Sequence, residues 1–236
     1  MIRFPRHLPA LASFALLAAA SPPPAAGQGI VIDQGQFEIR IDGRVVGTED
    51  FVVRRASLGQ GAAFVANGTV TQSAPGRNSR ISPLLRALPP DGQAESYQVD
   101  VTGDGAMELR LARSGRRYVA TIRSDIGAED RELQARPETR ILDRDVAHHH
   151  YFLRDVRTER PIHVLEPRTR SQHTLTAVNR TDEELRVGPN TIQVRRVDFE
   201  SQGGHDRTVW FDRQGRVVRV SIPALAWVAE RTDLVG

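Results

Sequence analysis

Alternation of apolar and polar residues with a period of two runs through most of this 236-residue chain and constrains its fold more than any other feature. Phe37, Ile39 and Ile41 alternate with polar neighbours in the first such run. A β-strand produces this pattern because its successive side chains face opposite sides of the sheet. The pair Asp42-Gly43 follows at once and is typical of a two-residue hairpin turn. The pattern therefore predicts antiparallel strands joined by short turns.

Further alternating runs raise the count to about a dozen strands, too many for one flat sheet. Three of them, 97–101, 107–111 and 118–122, are separated by glycine turns and predict a meander. Additional strands are predicted at 162–165, 173–178, 184–187, 191–199, 208–211 and 217–222. Phe64 to Gln72 is either a second hairpin or one strand with a bulge at Asn67-Gly68. The sheet is expected to curl.

The segment Arg140 to Arg157 breaks the alternation. Its apolar residues recur with a spacing near 3.6, which favours a helix, and Asp143 is available as an N-cap. The predicted fold class is mainly β: a curved antiparallel sheet or half-barrel that wraps this one central helix. A curved sheet with a helix on its concave side leaves an apolar cleft between them.

Such a cleft suits an elongated apolar ligand, a lipid or an acyl chain. Large apolar side chains on opposing elements are the candidates to line it, with ordinary core packing as the alternative for each. The predicted ligand-binding residues are Tyr97, Leu109, Tyr151, Phe152, Trp210 and Trp227.

The first 27 residues are typical of a secretory signal peptide. Arg3 and Arg6 precede an apolar stretch from Leu8 to Ala20, and a small-residue, proline-rich segment ends at Gly27. The apolar stretch is shorter than the roughly 20 residues that a bilayer requires. The alternatives are a retained anchor or a disordered leader. We predict a single β-rich domain over 28–236, located in the periplasm or secreted.

Charge and cysteine content exclude several function classes. The sequence pI near 10.1 suggests a nucleic-acid partner. However, every basic residue is arginine, and removal of Arg3 and Arg6 lowers the formal net charge from +3 to +1. The expectation is therefore no nucleic-acid partner, with contact to an anionic envelope surface as the better candidate and the oligomeric state left open. The absence of cysteine excludes disulfides, a thiol nucleophile and a lipid-modified cysteine.

The cluster His148-His149-His150 is the strongest candidate for chemistry. On a strand, His148 and His150 share a face, and His163 could complete a zinc or iron site, with His173 and Glu166 as further ligands. On a helix the three side chains fan out and cannot reach one ion. The alternative is that the histidines pack or bond to carbonyls. No HExxH spacing is present. We therefore predict no catalytic residue and no cofactor.

Three patches carry a resemblance to known proteins. They are Val209 to Val220 with its Trp-x-Asp and Gly-Arg turn, Gly35 to Gly47, and Asp145 to Leu153 with its histidines. Together they resemble a group of uncharacterised exported bacterial β-rich proteins. The architecture is similar to the half-barrels of envelope lipoprotein carriers, which implies a curved sheet around a helix and an apolar cavity. Unlike the lipid-anchored carriers, this chain has no cysteine to acylate.

Three functions are consistent with these observations. The first is a non-enzymatic exported protein that binds or carries an apolar ligand between sheet and helix, or scaffolds an envelope assembly. The second is a metal-dependent hydrolase that uses the His148–His150 cluster. The third is a structural interaction module without a ligand.

Overall fold

The computed structural model describes residues 29–58 and 61–234, so the predicted signal peptide lies outside the described residues. The described chain contains fifteen strands, more than the predicted dozen. They are β1 (Ile30–Ile41), β2 (Arg44–Leu58), β3 (Gly61–Ala74), β4 (Arg77–Leu88), β5 (Gln93–Gly103), β6 (Met107–Ser114), β7 (Arg117–Ser124), β8 (Gly127–Gln134), β9 (Arg140–Ile141), β10 (Ile162–Glu166), β11 (Ser171–Val187), β12 (Asn190–Gln202), β13 (Arg207–Asp212), β14 (Val217–Ile222) and β15 (Trp227–Arg231). Two 3₁₀ turns, His148–Leu153 and Pro223–Leu225, complete the described elements.

All fifteen strands belong to one sheet. Strands β8 to β1 lie side by side in reverse chain order, β15 pairs with β1, and β14 to β9 continue to the other edge. Neighbours are antiparallel throughout except for β9 and β10. The first and last described strands therefore join the two halves, with Phe37 opposite Arg231. Apart from β9, each half is a run of antiparallel strands, as the sequence predicted.

The sheet curls so that its edge strand β8 contacts the start of β11, near the other edge, although no ladder of strand hydrogen bonds joins them within the described residues. The Gln172 side chain spans the gap: its amide NH₂ donates to the Gln134 carbonyl at 2.8 Å, and its oxygen accepts from the Gln134 N–H at 3.2 Å. Nearby, the Ala94 N–H donates to the Thr139 carbonyl at 2.9 Å. The result is a barrel-like shell with side-chain contacts at its seam.

Turn chemistry accounts for the register of the first hairpin. Asp42 and Gly43 both have positive φ, 51° and 74°, as a two-residue primed turn requires. Next to this turn, Arg40 pairs with Val45 but Ile39 pairs with Gly47, so Val46 has no partner on β1 and forms a β-bulge. This bulge reverses the alternation, which buries Val46 and leaves Val45 about half exposed. Asn67-Gly68 lies inside the single strand β3, and its pairing with β2 continues there without a register shift, so both the hairpin and the bulge alternatives for that segment are wrong.

The predicted central helix over Arg140 to Arg157 is wrong. The segment instead contains the short strand β9, an irregular stretch and the six-residue turn His148–Leu153. All six residues of that turn are buried, so it has no solvent-exposed face of the kind an amphipathic helix presents. Asp145 adopts a positive φ of 64°, which interrupts helical geometry, and Asp143 bonds to other elements rather than capping a helix. The apolar spacing instead reflects a segment that is buried on every side inside the curled sheet.

One large apolar core fills the curled sheet around the turn His148–Leu153. It includes Phe37, Leu109 and Phe199 from the strands and Leu153 from the turn. A smaller cluster that contains Leu185 and Val218 lies apart from it on the last strands. Among the residues that the structure describes, no helix has the length and apolar character needed to cross a membrane.

Candidate functional site

The turn His148–Leu153 places three histidines in the centre of the shell. A 3₁₀ turn has three residues per turn, so successive side chains point about 120° apart. His148, His149 and His150 are each at most 2% exposed. They therefore face three different parts of the interior, and each has its own set of partners.

His148 faces the N-terminal half, where it meets Glu49 of β2. Its Nδ1 forms a short contact with Glu49 Oε1. The same carboxylate accepts from the backbone N–H of Ala147 at 2.6 Å and of His148 at 3.2 Å. The Phe51 ring stacks on the imidazole with centroids 5.5 Å apart. Because three N–H groups converge on one buried carboxylate, this contact fixes the turn to β2.

His149 belongs to a second buried network centred on Asp143. Its Nδ1 accepts from the Asp143 N–H at 3.1 Å, and burial lowers the pKa of His149 well below its usual value. The Asp143 carboxylate accepts from the Tyr97 hydroxyl at 2.5 Å and from Arg168 Nε at 2.6 Å. Burial and the Asp143 charge raise the pKa of Tyr97 well above its usual value. Tyr97 is therefore a hydrogen-bond donor at any ordinary pH.

His150 faces the C-terminal half, where the contacts are longer. Its Nδ1 donates to the Ala147 carbonyl at 3.0 Å, and Arg207 Nη1 lies 3.4 Å from its Nε2. Arg207 also donates to Glu166 at 3.4 Å and is only 3% exposed. Burial and the Arg207 charge lower the pKa of His150 to about 3 and that of His173 to about 4. Both rings are thus neutral beside a buried cation.

These contacts separate the residues of the predicted metal site. His148 points to Glu49, His150 points to Arg207, and His163 lies on β10 beside a groove lined by Gln134 and Gln172. Across 29–58 and 61–234, no group of three or more His, Cys, Asp or Glu is arranged to hold a metal ion. The structure does not bring His148, His150 and His163 together.

A large cleft opens beside the turn, with a volume of about 960 Å³. It lies between strands β1 to β3 on one side and β11 to β13 on the other. Its apolar lining residues are Ile30, Ile32, Phe64, Tyr151, Val194 and Phe211. Its polar lining residues are Arg55, Arg154, Asp155, Asp182, Gln193, Arg195, Asp212, Arg213 and Gln214.

Aromatic rings form the wall of this cleft next to the turn. Phe64 packs edge-on against Tyr151 at 6.3 Å and against Phe152 at 5.9 Å between ring centroids. The Arg154 guanidinium lies over the Tyr151 ring at 4.0 Å. The carboxylates of the cleft are paired, Asp155 with Arg154 and Asp182 with Arg195, each at 2.9 Å, and Asp212 with Arg216 at 2.6 Å. The cleft thus combines an apolar wall with a basic rim.

A second, smaller cavity of about 330 Å³ lies on the His150 side of the turn. Its apolar wall consists of Leu142, Val146, Ile222, Leu225 and Trp227. Its polar wall includes His150, Glu166, Thr169, Ser171 and Arg207. The lining is completed by Gly203, Gly204 and His205, from the loop between β12 and β13, and by Asp143, Arg144 and Asp145.

Comparison with known proteins gives one structural likeness. No protein-family model and no curated protein matches the chain. A solved structure, described as a β-barrel-like protein of the domain of unknown function DUF1849 from Brucella abortus, is similar with a TM-score of 0.53. The alignment covers 86% of this chain and 97% of that one at 9% identity. This likeness shows the fold alone. It supports a mainly β, barrel-like architecture shared with an uncharacterised bacterial protein.

Within this barrel-like fold the six predicted ligand-binding residues are dispersed. Tyr151 lines the large cleft, and Trp227 lines the small cavity. Phe152 packs behind Tyr151, at 5.4 Å between ring centroids. Leu109 lies in the core, and Tyr97 bonds to Asp143. The remaining residue, Trp210, packs against the smaller cluster on the last strands, where its indole N–H donates to Glu183 at 2.6 Å.

Sequence reasoning missed the buried charges Glu49 and Arg207, although a signal for them exists. Glu49 is in phase with the buried Phe51 and Val53 on β2. Arg207 is likewise in phase with Val209 and Phe211 on β13. A charged residue at the core phase of an alternating strand predicts a buried polar contact, because side chains two apart share a face.

Proposed function

We propose that this protein binds an acyl chain with an acidic head group in the 960 Å³ cleft, as a carrier or receptor for such a lipid. The observation that carries the proposal is the combination of an aromatic and aliphatic wall with an arginine rim in one cavity. Ligand sites in proteins commonly have volumes of about 300–1,000 Å³, a predominantly apolar lining and a few charged groups.

The apolar wall supports the acyl part of this proposal. Ile32, Phe64, Phe211 and Tyr151 come from three different strands and the central turn. Burial of each methylene in such surroundings contributes about 0.8 kcal/mol. Two further methylenes should therefore strengthen binding roughly tenfold until the cleft is filled.

The basic rim supports the acidic head group. Four arginines line the cleft, Arg55, Arg154, Arg195 and Arg213, against three aspartates, Asp155, Asp182 and Asp212, so arginines outnumber acidic residues there by one. A guanidinium matches the planar geometry of a carboxylate or phosphate oxygen pair. We further propose that the protein acts outside the cytoplasm, in the periplasm or after secretion, since its first residues are typical of a signal peptide.

The test is titration of the purified protein with dansyl-labelled fatty acids of increasing chain length. We expect saturable fluorescence enhancement, tighter binding with each added methylene, and at least tenfold loss in Ile30→Glu, which places a carboxylate on the apolar wall. Ile30 is 77% exposed, so the substitution spares the buried core.

Ile126→Glu is the matched control, because Ile126 is 91% exposed and does not line the cleft. It should bind as the unmodified protein does. Absence of saturable binding, or equal loss in both variants, would contradict the proposal and favour an interaction module without a ligand.

A further inference from the structure

We infer that the 330 Å³ cavity beside His150 is a second binding site, specific for a small organic carboxylate. It is independent of the proposed lipid cleft, since the two cavities have no lining residue in common. The inference rests on the buried cation of the cavity, on its apolar wall and on its size.

Arg207 is the first element of this argument. Its side chain is 2% exposed, yet each of its hydrogen bonds is 3.3 to 3.4 Å long. Charge-assisted N–H···O bonds are ordinarily about 2.7–2.9 Å. Its acceptors are His150, Glu166 and the His205 carbonyl, none at the optimal distance. Each guanidinium nitrogen thus has only long hydrogen bonds, and an incoming carboxylate could supply shorter ones.

Two histidines lie close enough to Arg207 for its charge to affect them. The Arg207 charge contributes, after burial, to the lowered pKa of both His150 and His173. Both rings are therefore uncharged near neutral pH, and Arg207 is the buried cation of the cavity, since Arg144 is exposed and the nearby Asp143 is paired with Arg168. Glu166 lies between Arg207 and His173, at 3.4 Å and 3.9 Å respectively, and is the single carboxylate that the described structure shows in an ion pair with Arg207.

The opposite wall argues for an organic anion rather than phosphate. Leu142, Ile222, Leu225 and Trp227 present apolar surface that a compact inorganic ion would leave uncovered. The Trp227 indole N–H is buried and has no hydrogen-bond partner in the described structure. The hydroxyls of Thr169 and Ser171 stand at the polar wall. The volume lies near the lower end of the usual range for ligand sites, which suits an acid of about six carbons.

Calorimetric titration of the purified protein with sodium hexanoate tests the inference. We expect saturable binding that is at least about tenfold tighter than that of hexanamide, the uncharged analogue, because a hydrogen bond to a charged group is stronger than a neutral one. Arg207→Met should remove this preference for the charged ligand. Leu225→Trp, which fills the cavity from its partly exposed wall, should abolish binding of both ligands.

Hexanoate is also a short acyl chain with an acidic head group, so it is titrated a second time into Ile30→Glu, which alters the large cleft and not this cavity. Binding that Ile30→Glu leaves unchanged and Leu225→Trp abolishes belongs to this cavity, whereas binding that is lost in Ile30→Glu belongs to the large cleft and overturns the inference. Equal binding of hexanoate and hexanamide, equally tight binding of inorganic phosphate, or unaltered binding in Leu225→Trp would each overturn the inference. If Arg207→Met does not fold, the Leu225→Trp result and the ligand comparison still decide it.

Discussion

The two sides of the central turn differ in how completely their charged groups are bonded. On the N-terminal side, the Glu49 carboxylate accepts a 2.6 Å bond from Ala147 N–H and is fully enclosed. On the C-terminal side, Arg207 is enclosed to nearly the same degree but makes bonds of 3.3 Å or longer. The first side anchors the turn to the sheet, whereas the second side borders a cavity. The comparison thus sets a buried charge that anchors the turn against one that borders the cavity proposed above as a binding site.

The largest expected effect tests the N-terminal side of the turn, where Glu49 is bonded. Glu49→Gln replaces a carboxylate that three N–H groups approach with an amide that must direct an NH₂ toward one of them. We expect a loss of about 3–5 kcal/mol in the free energy of unfolding, as for other broken buried pairs. Urea denaturation of the variant measures this loss.

Glu132→Gln is the control, because Glu132 pairs with Arg117 on the surface with both side chains more than half exposed. It should change stability by less than about 1 kcal/mol. A Glu49→Gln protein as stable as Glu132→Gln would show that the Glu49 contact does not anchor the turn to the sheet.

Acidification should produce the next largest effect. His149, His150 and His173 have pKa values below the usual 6.5 in the folded protein, whereas in the unfolded chain they protonate near 6.5. The unfolded state therefore binds more protons as the pH falls. The contribution of these histidines to the free energy of unfolding is fully present above pH 6.5. It decreases below that pH, by up to about 1.4 kcal/mol per pH unit for each histidine. Denaturation midpoints at pH 7, 6 and 5 measure this slope.

His150→Asn keeps a side-chain N–H near the Ala147 carbonyl but cannot take up the proton, so the slope should decrease. The surface variant Glu132→Gln supplies the control, because it retains all three histidines and should leave the slope unchanged. A flat profile between pH 7 and 5 would mean that these rings can be protonated in the folded shell.

The smallest effect on stability is expected on the C-terminal side of the turn, at Arg207. Arg207→Met should change the free energy of unfolding by less than about 1 kcal/mol, since removal of long bonds and of a buried charge nearly offset each other. Glu166 is left partly exposed and still accepts from the Thr169 hydroxyl at 3.3 Å. Thermal and urea denaturation of the variant measure the change.

Arg231→Met is the contrasting variant, because Arg231 is equally buried but pairs with Asp33 at 2.8 Å and Asp233 at 2.9 Å. It should lose several kcal/mol. If the two variants lose the same amount, bond length does not distinguish structural from binding arginines here.

Strand prediction succeeded where local rules dominate. Alternation and the Asp42-Gly43 turn specify their hairpin from neighbouring residues alone, and the structure confirms that hairpin and the meander over β5 to β7. The helix prediction failed because residues buried on every side produce apolar spacings that resemble a helical stripe. The size of Trp210 suggested that it lines the cleft. On β13, however, Trp210 alternates with Val209 and Phe211, so its side chain lies on the opposite face of the sheet from theirs.

The sequence by itself determined the strands, their turns and the in-phase positions of Glu49 and Arg207, because each depends on contacts between near neighbours in the chain. Only the tertiary structure decided what those charges meet. Glu49 and Ala147 are 98 positions apart, and Arg207 and His150 are 57 apart. Whether a buried charge is tightly bonded or borders a cavity depends on how the curled sheet closes around the turn, and no local pattern encodes that closure.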